Sequence, residues 1–184
     1  MITGIKILIR SIDALNEWVG RSVSWLVLAI VLLVCYDITM RYLLSAGILS
    51  GFSHNSGALQ ELQWHFFALI FLLGGAYTLK HDEHVRVDIV YQSSWMNSRQ
   101  RALVNFIGSS LFLIPFCLII IYSSYPFVYD SYLHHETSPD AGGLTHRYLL
   151  KLAIPLGFSL LLLQGISQSL TNLLLLLGYR VEDK

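Results

Sequence analysis

The chain has 184 residues, of which 54% are hydrophobic and 13% charged, and its formal net charge is zero. A mean hydropathy of +0.57 places most of it in lipid rather than water. With no lysine and arginine run to meet a phosphate backbone, nucleic acid is excluded as a partner.

Residues 1–17 come first. Ile2, Ile5, Leu8, Ile9, Ile12 and Leu15 recur at helical spacing, continued by Val19, with Lys6, Arg10, Asp13 and Glu17 between them. This pattern predicts an amphipathic helix lying on the membrane surface. The alternative is a simple extension of the first span. Lys6 and Arg10 before an apolar stretch also resemble a secretory signal, but no A-x-A cleavage site follows Tyr36, and Asp37 and Arg41 suit a retained helix better.

Four stretches are long and apolar enough to cross a bilayer, which takes about 20 residues. They run over about 18–41, 61–79, 102–129 and 152–179. Backbone groups in lipid must be satisfied within the segment, and the alternation of barrel strands is missing, so the fold class is an all-α membrane protein with four transmembrane helices. Pro115 predicts a kink in the third span, whereas Pro155 is expected near the start of the fourth, where proline costs little. Lys6, Arg10, Arg21, Lys80, Arg86, Arg99, Arg101, Arg180 and Lys184 fall on one side. Only Arg41, Arg147 and Lys151 fall on the other, which puts both termini in the cytoplasm. Cys35 and Cys117 lie inside apolar runs as packing residues and imply no disulfide framework.

Polar groups at membrane depth are the candidate site. Antiparallel neighbours bring the end of the first span, Asp37 and Arg41, level with the start of the second, Glu61 and His65, so these four are expected to face one another. A lone charge in lipid costs roughly 2.5–3.5 kcal/mol, so such groups turn inward and find partners. Two roles follow: a proton or ion relay through Asp37, Glu61 and His65, or a neutralised cluster that fixes helix pairing or docks a second subunit. The position at helix ends favours the second. Gly74 and Gly75, with Gly157 and Gly165, remove bulk where helices can approach closely.

The inner loop His81-Asp82-Glu83-His84 and the outer run His134-His135-Glu136 match no established zinc spacing, so no metal is expected. His65 is the lone histidine within a span, too few for a haem, and no cofactor is expected. No nucleophile and base constellation and no phosphate loop occur, so the sequence does not read as an enzyme.

Arg41-Tyr42 closes the first span, Glu61-Leu62 opens the second, and Gly74-Gly75-Ala76-Tyr77 stands near its end. His84-Val85-Arg86-Val87-Asp88 follows in the inner loop. In this order and spacing the chain resembles, over almost its whole length, the small integral membrane subunit of tripartite ATP-independent periplasmic (TRAP) transporters, the DctQ type. The outer run Ser138-Pro139-Asp140-Ala141-Gly142-Gly143-Leu144 resembles a longer branch of that family associated with organic acids.

The resemblance implies a location in the bacterial inner membrane and two partners. A large DctM-type subunit would carry an organic anion inward with sodium, and a DctP-type periplasmic solute-binding protein would deliver it. The small subunit would enlarge the static scaffold around the moving transport domain. The outer loops, 43–60 and 130–150, are expected to dock the solute-binding protein, including Ser138, Pro139, Gly142, Gly143 and Leu144. Alternatives are a small proton-coupled exporter using Asp37, or the membrane anchor of a redox enzyme.

Overall fold

The computed structural model describes residues 2–49, 54–83, 97–139 and 142–179. Five α-helices and one π-helical segment account for them: α1 (Ile2–Ser45), α2 (Ser56–Lys80), α3 (Ser98–Ile107), the π segment (Gly108–Leu113), α4 (Ile114–Leu133) and α5 (Tyr148–Leu176). Because α3, the π segment and α4 form one 36-residue run, four helices are long and apolar enough to cross a membrane. Among the described residues there is no strand.

The first helix is longer than its span. At about 1.5 Å per residue its 44 residues reach about 66 Å, twice the roughly 30 Å of a hydrocarbon core. It continues through residues 17 and 18 without a break. One stripe, Ile9, Ile12, Asn16, Gly20 and Val23, is buried against the bundle, while Leu8, Leu15 and Trp18 stay exposed.

The fifth helix is the hub, in contact with α1, α2, α3, the π segment and α4. In its most apolar window 22% of residues are buried inside the protein, against 11% or less in the other three spans. Gly157 lets α2 approach, since a Cβ there would stand 2.5 Å from the Leu72 carbonyl oxygen. Gly20 does the same for α1 and α2, where a Cβ would meet the Tyr77 ring at 2.2 Å.

Prolines mark the irregularities. The third span loosens into i→i−5 bonding just before Pro115, with the Ile114 amide donating to the Ser109 carbonyl. A widened turn of this kind is a known irregularity inside an α-helix. Ser109 is buried there and accepts from Ser169 on α5 at 2.8 Å. Pro155 does not fall in a first turn as expected. Helix α5 begins at Tyr148, earlier than the expected residue 152, so Pro155 lies two turns inside.

Candidate functional site

The four polar residues expected in one cluster divide into two centres. Asp37, on α1 and only 4% exposed, is met by Arg41 one turn on at 2.7 Å. The His54 Nε2–H donates to Asp37 Oδ1 at 3.0 Å from the segment just before α2, and Gln63 approaches Oδ2 at 3.5 Å. Neither Glu61 nor His65 joins them. His54, just before α2, occupies the place expected for His65.

Glu61 turns instead to the α4–α5 connection. It is 2% exposed, and its Oε2 accepts from the Leu144 amide at 2.6 Å. Arg147 Nε stands 3.7 Å from Oε1. One turn back, Asn55 caps α2 by accepting from the Ala58 amide and donates to the Gly142 carbonyl at 2.8 Å. Gly142 has φ +77°, and a Cβ on Gly143 would collide with Ser138 and Glu61 Oε2, so both glycines are required where the connection lies down on α2. The Ser138 amide donates to the Leu144 carbonyl and closes the loop. Pro139 stays exposed. His65 donates from Nδ1 to the Glu61 carbonyl at 2.6 Å and stacks beside Trp64, a role within α2.

A third centre joins the end of α4 to the start of α5. Lys151 pairs with Glu136 and lies 3.9 Å from the centre of the Phe127 ring, while Arg147 reaches Glu136 at 3.9 Å. The Lys151 ammonium holds the Glu136 carboxyl below the usual carboxylate range.

At the opposite end Glu17 gathers Lys80 at 2.6 Å, Arg21 at 2.8 Å and His81 at 2.9 Å, locking α1 to the end of α2. Beside Glu17 on α1, Asn16 donates to Gln164 Oε1 at 2.7 Å, and Asp13 accepts from Gln164 at 3.0 Å and from Ser167 at 2.9 Å. Asn16, His54, Gln164 and Ser167 are not marked by the sequence as site residues, and Glu17 is marked only as part of the polar face of residues 1–17. A usable signal was present for two of them: Gln164 and Ser167, three apart in an apolar span, share a helix face and require a polar partner in lipid. His84, Arg86 and Asp88 lie outside the described residues. Gly74 and Gly75 were expected at a close helix contact, but a Cβ on either meets nothing within 4 Å. Among the described residues no group of three His, Cys, Asp or Glu side chains could hold a metal ion.

The family model "Tripartite ATP-independent periplasmic transporters, DctQ component" matches residues 30–175. The chain belongs to the DctQ family. No curated protein and no solved structure matches it. As a DctQ subunit it is a small membrane component of a tripartite transporter, a family of transporter parts and not of enzymes. The match takes in the Asp37, Glu61 and Glu136 centres and leaves out the half of α1 that carries Asn16, Glu17 and Gly20.

Proposed function

We propose that this DctQ subunit is a passive scaffold: it enlarges the fixed frame of a large DctM-type permease during sodium-coupled uptake of organic anions. The observation that carries this reading is the pairing of the deep carboxylates. Asp37 and Glu61 are both nearly inaccessible: Asp37 is engaged by Arg41 and His54, and Glu61 accepts from the Leu144 amide through Oε2, with Arg147 3.7 Å from Oε1. A conduit requires groups that can be vacated and refilled near the midplane, usually on broken helices. These centres instead fix one helix or loop onto another.

The bias of basic residues supports cytoplasmic termini in a bacterial inner membrane. The 130–150 connection then faces the periplasm. Its exposed Pro139, Thr145 and His146 form the docking edge for a DctP-type solute-binding protein. Residues 1–17 continue α1 at the cytoplasmic surface and set part of its amphipathic face against lipid.

Reconstitution tests the reading. The large subunit and this chain, extracted together in mild detergent, should co-purify and take up an organic anion in proteoliposomes only with a sodium gradient and the soluble protein. This chain alone should be silent. Transport by the lone chain, abolished by Asp37→Asn, would overturn the scaffold in favour of a proton-coupled exporter.

A further inference from the structure

A notch of about 390 Å3 opens among α2, α4 and α5 at the end of the bundle that carries the α4–α5 connection. Its walls are apolar, with Trp64 and Leu72 on α2 and Ile154 on α5, and its rim is charged, with Glu136, Arg147 and Lys151. We propose that this notch binds one membrane phospholipid with a phosphoethanolamine headgroup, acyl chains along the apolar walls and headgroup on the charged rim. The inference requires only that the helices span a bilayer, and it is independent of the transport reading.

Position, access and charge carry the argument. The notch lies where three helices end, the depth at which an acyl chain gives way to a headgroup. Its charged side chains are reachable without being free: Arg147 is 24% exposed, Lys151 17% and Glu136 34%. The two rim cations, Arg147 and Lys151, face two carboxylates, Glu136 and the buried Glu61, so the rim is electrically balanced. A balanced rim offers no net attraction to an anionic lipid. A zwitterion can exchange partners with it: the phosphate takes Arg147 and Lys151, and the primary ammonium donates to Glu136. Arginine and lysine both suit a phosphodiester. Choline in place of the primary ammonium has no N–H for Glu136, which separates the two common zwitterionic headgroups.

Native mass spectrometry of the intact chain in mild detergent tests this, with phosphatidylethanolamine, phosphatidylcholine and phosphatidylglycerol of matched acyl chains. Phosphatidylethanolamine should be retained roughly two- to fivefold better than the other two, the range for one exposed ion pair. Glu136→Gln leaves the rim with a net positive charge, and the preference should move to phosphatidylglycerol. Phosphatidylethanolamine with brominated acyl chains should quench Trp64 fluorescence, seen as the difference from Trp64→Phe. Equal retention of the three lipids, a preference that Glu136→Gln does not move, or no quenching of Trp64 would each overturn the site and leave unspecific boundary lipid. Should Glu136→Gln fail to fold, exchanging the pair as Glu136→Lys with Lys151→Glu keeps the rim neutral. That variant should keep phosphatidylethanolamine ahead of phosphatidylglycerol, and a switch to the anionic lipid there overturns the site equally.

Discussion

Glu61 on α2 and Leu144 in the α4–α5 connection are joined by a 2.6 Å hydrogen bond across 83 positions of sequence. The bond fastens a loop to a buried carboxylate, and removing the acceptor leaves the amide without its partner and Arg147 with Glu136 alone. Glu61→Ala should therefore cost about 1–3 kcal/mol, and Glu61→Gln, which keeps an acceptor, clearly less. Hydrogen exchange at the Leu144 amide is the specific readout. It should quicken in Glu61→Ala, and an unchanged rate would mean that the loop is held by other contacts.

Asp37 and His54 should be energetically coupled. A double-mutant cycle of Asp37→Asn and His54→Gln, read from detergent melting, should give a coupling of roughly 0.5–3 kcal/mol. In the reconstituted complex, Asp37→Asn should reduce the amount assembled while leaving the sodium requirement of the remaining complexes intact. A changed ion requirement would assign Asp37 to transport.

The glycines should sort by neighbour. Gly157→Ala drives a methyl into the Leu72 carbonyl and Gly20→Ala drives one into Tyr77. Each should lower stability by about 1–3 kcal/mol, the cost of overpacking. Gly75→Ala meets nothing within the chain and should leave its melting unchanged. If α2 presents that face to the large subunit, Gly75→Leu should weaken co-purification alone, and full yield of the complex would place the partner elsewhere.

Acid should loosen the α4–α5 connection. Pairing with Lys151 depresses the folded-state value of Glu136 below the ordinary 4.5, so its contribution is complete above about pH 4.5 and is lost as the pH falls through the lower folded value. Protease nicking of residues 134–147 should rise over that acid range in the native chain. Glu136→Gln should already show the raised level at neutral pH and add little on acidification.

Hydropathy alone marked the four helices that are long and apolar enough to cross a membrane, because a helix that crosses lipid must be apolar over a fixed length whatever it packs against. The ends were less legible. Helix α2 starts at Ser56 rather than at residue 61, since Asn55 and not a charge caps it, and α5 starts at Tyr148 rather than at residue 152. The polar residues Asp37 and Glu61 were visible as buried charges, and so was Arg41 beside Asp37, but their other partners were not. Which donor reaches a carboxylate is decided by the route of a connection: His54 arrives from one loop and Leu144 from another, and neither carries a local pattern that marks it. Asn16 illustrates the opposite failure, since a polar residue in an apolar stripe of α1 looks misplaced until Gln164 stands opposite.

Helix α5 touches every other described helix, and it is also the last of them to leave the ribosome. Until then Asn16, Ser109 and Gly157's future neighbours on α2 wait in the bilayer without the surfaces that complete them. Biogenesis therefore ends in one closing event: a nascent chain halted before Tyr148 should be open to quality-control proteolysis, and adding the 29 residues of α5 should convert it into a resistant subunit.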